Sequence, residues 1–140
     1  MNLPPEQESI RAKCFHPQGE FTELQPEEIE RSVPHRFETI VERYPNRLAL
    51  KSKTCELTYR QLNGAANRIA QAILATRGEK SEPVALMFEQ GAPAVIATLA
   101  VLKTGKFYVP LDPSVPWSRS KEILADSTAS LLPAPRCALD

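Results

Sequence analysis

From Pro34 onward the apolar positions fall into clear periods. Phe37, Ile40, Val41 and Tyr44 are spaced i, i+3, i+4, i+7, the stripe of an amphipathic helix, with Pro34 suited to its first turn and Pro45 to its end. Residues 48–50 (Leu-Ala-Leu) read as a short strand, 52–54 as a turn, and 56–59 as a second short strand running into a helix. That helix carries the strongest local signal. Thr58 and Gln61 have capping-box spacing, and Leu62, Ala66, Ile69 and Ile73, flanked by Ala65, Ala70 and Leu74, make one apolar face. Arg77 suits the negative end of the helix dipole and Gly78 the left-handed position after it. Gly64, inside the helix, is expected to mark a close packing contact.

The next segment changes period. Residues 83–88 (Pro-Val-Ala-Leu-Met-Phe) form an unbroken apolar run, the pattern of a strand buried on both faces of a parallel sheet. Gly91 marks a turn into a helix over 92–103, with Val95, Ile96, Leu99 and Leu102 as its apolar positions and Gly105 beyond its end. Residues 107–111 read as a strand, 112–116 as a proline-punctuated loop, and 117–127 as a last helix. Leu131 and Leu132 have strand character that Pro133 and Pro135 are expected to cut short. Alternation of strands and helices predicts an α/β domain with a small, largely parallel sheet. Residues 34–132 are its expected extent. Residues 1–33, with four prolines and the acidic run at 26–30, read as a tail that Cys14, Phe15 and Phe21 are placed to pin to a body, with disorder the competing expectation; 133–140 read as an unstructured end.

Composition narrows the function classes. The 140 residues carry 17 basic and 17 acidic side chains, so there is none of the basic excess of a nucleic-acid-binding or anionic-membrane protein. No apolar run approaches the length of a membrane span, and the polar first ten residues do not resemble a signal peptide, so the expected location is cytoplasmic. Three widely spaced cysteines (Cys14, Cys55, Cys137) fit a reducing compartment rather than a disulfide framework.

Local motifs for chemistry are sparse. Residues 78–81 (Gly-Glu-Lys-Ser) and 104–106 (Thr-Gly-Lys) superficially resemble a phosphate-binding loop. In the first, Glu79 would place an anion among the phosphates; in the second, Phe107 replaces the metal-binding hydroxyl and Ala100 stands where a glycine is needed. Both read as helix ends followed by solvated charges. The nearest two glycines, Gly78 and Gly91, are too far apart for a dinucleotide fingerprint. Cys14, His16, His35, Cys55 and Cys137 show no metal-ligand pairing. No nucleophile elbow occurs, and His35, after a proline at a helix start, reads as solvent-facing. Asp112 follows a strand end, where α/β proteins place function; an Asx-turn organising the loop is the competing reading. Tyr108 and Trp117 read as core aromatics, with a ligand platform as the alternative.

Two segments carry more. Residues 57–62 (Leu-Thr-Tyr-Arg-Gln-Leu) resemble the first core motif of amino-acid adenylation domains, L-[TS]-Y-x-[EQ]-L. Residues 102–112 (Leu-Lys-Thr-Gly-Lys-Phe-Tyr-Val-Pro-Leu-Asp) resemble the second, L-K-A-G-x-A-Y-V-P-[LI]-D, with Thr104 and Phe107 in place of alanines. Spacing around them agrees: Phe37, Val41, Pro45 and Ala49 upstream, 67–70 (Asn-Arg-Ile-Ala) in the helix, and Pro113, Pro116, Arg119, Ile123, Leu124 and Asp126 downstream. The similarity runs over 34–132 and is to the adenylate-forming AMP-binding superfamily, on its nonribosomal-peptide-synthetase side.

The resemblance implies a parent reaction in which ATP and an amino acid, with magnesium, give an aminoacyl-adenylate and pyrophosphate, followed by transfer to a phosphopantetheine thiol. It also implies what is missing. The family's Ser/Thr/Gly-rich phosphate loop ending in Pro-Lys-Gly has no counterpart here; residues 126–130 lack both glycine and lysine. The family's ribose-binding aspartate, hinge and catalytic lysine lie beyond residue 140. No catalytic, cofactor-binding or metal-binding residue therefore transfers to this sequence, and no cofactor is expected on this chain alone. The expectation is a truncated N-terminal segment of an adenylation domain, not catalytic by itself, with the missing remainder of such a domain or a carrier protein as partner. The alternatives are half of a split enzyme and a stand-alone binding or regulatory module that uses the acidic tail for docking. In the family the strand at 84–88 and the helix at 92–103 pack on later parts of the domain, which implies exposed apolar surface in the segment alone.

Overall fold

The computed structural model describes residues 4–5, 26–52 and 55–132. The chain divides into two units, residues 1–31 and 32–140. In the first, the described regular element is a single helical turn, α1 (Pro26–Ile29), over the acidic run of the expected tail. The expected anchors Cys14, Phe15 and Phe21 and the expected loose end at 133–140 lie outside the described residues.

The second unit begins with α2 (Val33–Arg43). Its N-cap is Ser32, whose hydroxyl accepts from the His35 amide at 3.3 Å, so the helix starts one residue before Pro34. A hairpin follows. β1 (Leu48–Lys51) pairs antiparallel with β2 (Glu56–Thr58), with a register irregularity between Leu48 and Leu50. α3 (Tyr59–Arg77) opens on the expected capping box: the Gln61 amide donates to Thr58 Oγ1 at 3.3 Å, and the Thr58 amide donates to Gln61 Oε1 at 2.9 Å. It ends at Gly78, φ 67°, whose amide returns to the Leu74 carbonyl. Gly64 does not mark a tight contact. A Cβ there would meet only the tip of Arg68 at 3.9 Å, so the expected close approach is absent at that position.

The remaining elements are β3 (Pro83–Met87), α4 (Ala92–Lys103), β4 (Phe107–Leu111), α5 (Trp117–Ser127) and β5 (Ser130–Leu132). The three strands form a parallel sheet in the order β4-β3-β5. This is the anticipated α/β alternation, extended by β5: Leu131 and Leu132 do complete a three-residue strand before Pro133, because the free edge of β3 supplies the pairing partner. As the unbroken apolar run implied, central β3 is covered on both faces, with Val84 and Ala85 fully buried and Leu86 nearly so.

α4 lies against α3 and over β3 and β4. It buries more than a stripe: Ala92, Ala97, Ala100 and Val101 are enclosed along with Ile96 and Leu99, while Val95, expected on the apolar face, is exposed. The small alanines let α4 sit close between a helix and a sheet, which widens the buried face beyond the one the large side chains define. Two core clusters result. Ala70, Ile73, Val84, Leu86, Ala97 and Val101 join α3 and α4 to the sheet, with Leu132 packed on them. Leu57, Leu62, Ala66, Ile96 and Leu99 join the same helices to the hairpin and α2.

β4 is an edge strand, and its side chains show it. Phe107 is 52% and Tyr108 41% exposed. The Phe107 amide donates toward β3, to the Glu82 carbonyl. By alternation the amide direction at position 110 is outward, where Pro110 has no hydrogen to give.

Candidate functional site

Parallel α/β sheets hold their ligands outside the carboxyl ends of the strands. Here that place is an open groove of about 660 Å³ beyond β3 and β4, lined by Phe88, Glu89, Gln90, Pro110, Leu111, Asp112, Pro113 and Ser114. The strand ends position its walls. β3 delivers Phe88 and the turn into α4, and β4 delivers Leu111, which is buried and anchors the loop that follows.

Asp112 organises that loop. Its Oδ1 accepts the Ser114 amide at 2.8 Å, and its carbonyl accepts the Val115 amide at 3.2 Å, so the Asx-turn reading is the one realised. Hydrogen bonds from the Ser114 hydroxyl and then its amide hold the carboxyl below the ordinary aspartate range, against a small opposing effect of desolvation. The carboxylate is fixed as an anion and an acceptor. With Glu89 it makes the groove acidic, and among the described residues no lysine or arginine lines it. Such a groove opposes a phosphate group rather than cradling one.

The two glycine-lysine segments meet, but at the opposite end of the sheet. Lys106 Nζ donates to the Lys80 carbonyl, and Ser81 Oγ donates to the Gly105 carbonyl at 3.1 Å. The Lys106 side chain is fully enclosed and stands 3.5 Å from Glu82 Oε1. Its charge is therefore consumed inside the fold. Thr104 donates its hydroxyl to the Val101 carbonyl, closing α4. Both segments follow helix ends, as the spacing implied, but Lys106 is not the solvated charge expected there: it is buried against the Lys80 carbonyl and Glu82.

The other flagged residues stay apart from the groove. His35 is exposed at the start of α2. Cys55 is half-buried in the hairpin, 3.4 Å from Ser52 Oγ; Cys14, His16 and Cys137 lie outside the described residues. Among the described residues no three side chains of metal-ligating type gather. Tyr108 and Trp117 are neither core nor groove lining. They are 41% and 49% exposed, which corrects the expectation of core aromatics. For Tyr108 the reason is topological: among the described residues β4 has no neighbouring strand on its outer side.

Two charged clusters join residues that no single sequence motif brings together. Glu38 on α2 accepts from Lys103 Nζ on α4, and from Asn63 Nδ2 on α3 at 2.7 Å; Lys103 also lies 5.6 Å over the Phe37 ring. Arg77 at the end of α3 bonds Ser130 Oγ and the Leu131 carbonyl, and sits 3.7 Å from Glu82 Oε1. Their members are far apart in sequence, so no local spacing announces them.

Comparison with known proteins decides the family. A family model described as AMP-binding enzyme matches residues 37–138. The chain belongs to the AMP-binding enzyme family. It is 37% identical over 131 residues to a plipastatin synthase from Bacillus subtilis, covering 92% of this chain and 4% of that protein. It is 41% identical over 96 residues to phosphinothricin tripeptide synthetase PhsC of Streptomyces viridochromogenes, covering 69% of this chain and 9% of that protein. Among solved structures, the N-terminal subdomain of Klebsiella oxytoca NpsA superposes with TM-score 0.69 at 29% identity, covering 73% of this chain and 27% of that one. The same match extends to an artificially fused NpsA adenylation-PCP didomain, a nonribosomal peptide synthetase, at TM-score 0.69. The segment thus corresponds to the N-terminal part of a nonribosomal-peptide-synthetase adenylation domain, and spans a small fraction of the curated relatives it matches. No described helix is long and apolar enough to cross a membrane.

Proposed function

We propose that this adenylation-domain segment is a structural part of an amino-acid-activating unit and performs no adenylation by itself. The observation that carries the reading is the groove at the strand ends, whose described lining holds two carboxylates and no cation. Adenylate formation requires positive charge on the phosphates as pyrophosphate leaves. In the complete unit ATP would supply the adenylyl group, and magnesium and a lysine would neutralise the leaving pyrophosphate. No step is assigned to the described residues. Their role is to build the scaffold: the capped helix α3, and β4 with its Asp112 turn.

The partner that completes the unit is the remainder of an adenylation domain. What supports this is the exposure of Phe107 and Tyr108 on β4 and of Trp117 at the start of α5, apolar area of the kind that marks an interface. The relative NpsA has been fused to a PCP domain, which favours a carrier protein as the acceptor of the activated acid. A cytoplasmic location accords with the charge balance and cysteine usage.

The test is ATP–pyrophosphate exchange over a panel of amino acids. The purified chain is expected to show none. Fused to the part of a related adenylation domain that follows the matched segment, it is expected to support exchange for that domain's acid. Turnover by the chain alone, or a folded fusion that stays inactive, would overturn the reading.

A further inference from the structure

β5 differs from the other strands of its sheet in how it is held. It pairs with β3 at three positions, Val84 with Ser130, Ala85 with Leu131 and Leu86 with Leu132, whereas β4 pairs at five. Leu132 packs on the core, but Leu131 is 40% exposed. Short, half-buried edge strands belong to the low-stability end of a fold.

Two further features frame it. Thr128, between α5 and β5, has φ 52°, the one positive value on a non-glycine among the described residues. A β-branched residue resists that conformation because its side chain crowds the neighbouring peptide. The turn is pinned by Ser127, which donates to the Ile123 carbonyl and accepts the Ala129 amide at 3.3 Å. On the strand itself, Arg77 bonds Ser130 Oγ and reaches the Leu131 carbonyl. Glu82 stands behind Arg77 at 3.7 Å and Lys106 beyond it at 3.5 Å. Glu82 Oε1 is buried and makes no hydrogen bond; it attracts Arg77 by charge and leaves the guanidinium donors to β5.

We propose that β5 is a detachable edge strand, hinged at the strained Thr128 and latched by Arg77. Undocking releases Leu132 from the core and breaks the β3 pairing. Docking recovers three ladder positions and the Arg77 bonds at the cost of the Thr128 conformation. The proposal rests on this chain's geometry and does not depend on the adenylation reading.

Hydrogen exchange by mass spectrometry on the 140-residue chain tests it. In the wild-type protein the 128–132 segment should exchange at least tenfold faster than 84–87. Arg77→Leu should accelerate 128–132 a further tenfold or more, with 84–87 changing less than threefold. Thr128→Asn, which accepts a left-handed backbone and leaves the latch intact, should slow 128–132 at least threefold. Equal protection of the two segments in the wild type, acceleration of both together or of neither by Arg77→Leu, or no slowing by Thr128→Asn would overturn it. Thr128→Asn decides the matter even if Arg77→Leu fails to fold.

Discussion

Single residues fix two places where the chain turns from a strand into a helix or a loop. Thr58 satisfies an otherwise orphaned amide at the start of α3 and receives Gln61 in return. Thr58→Ala is expected to lower unfolding free energy by about 1 kcal/mol, read from a urea transition with unchanged slope. After β4, in the parallel sheet, Asp112 holds its loop through Ser114. Its carboxyl lies below the ordinary value in the folded state, so the stabilisation it lends is complete above the unfolded-state value and is lost as pH falls through the folded one. A carboxyl NMR titration should therefore give a midpoint below 3.8, the unperturbed aspartate value, and Ser114→Ala should raise it. A midpoint at or above that value would remove the Asx-turn from the account. Both residues were legible in the sequence because their partners sit two or three positions away.

Between elements, packing follows a less legible rule. α3 and α4 are each buried where small residues face one another, and Ile73, 2% exposed, is the large side chain they close around. Ile73→Ala should cost about 2–5 kcal/mol, measured by chemical denaturation. A cost well under 1 kcal/mol would mean that the site collapses without a cavity. The periodicity of α3 announced Ile73, and the unbroken run of β3 announced its double burial. It did not announce that Val95 would face outward while Ala97 and Ala100 were enclosed, because helical spacing gives a stripe and the neighbours decide its width. β5 was ambiguous for a similar reason. Three residues before a proline make no strand alone, and the partner edge that stabilises them lies more than forty residues upstream. The Glu38–Lys103 pair, joining residues 65 positions apart, has no sequence signal at all.

As a whole molecule, the described second unit has a well-formed core on the side of α3 and α4 and open apolar positions around β4 and α5. The family assignment was legible because two motifs, residues 57–62 and 102–112, fall in order at consistent spacing. The structure gives those motifs their physical content: the first is a helix cap, the second a strand and its turn. Of the cations in the second motif, Lys103 is held by Glu38 and Lys106 lies beside Glu82. Pyrophosphate exchange by the isolated chain and by its fusion tests the proposed scaffold role directly.

The proline in β4 bears on how the protein behaves at high concentration. Polymerisation through sheet edges needs a continuous row of outward amides. On the β4 side Pro110 interrupts that row between Tyr108 and Asp112, beside aromatic side chains that would otherwise promote stacking into fibrils. Strand addition along the β4 edge of the parallel sheet is thereby opposed, which leaves the β5 edge as the more open of its two sides.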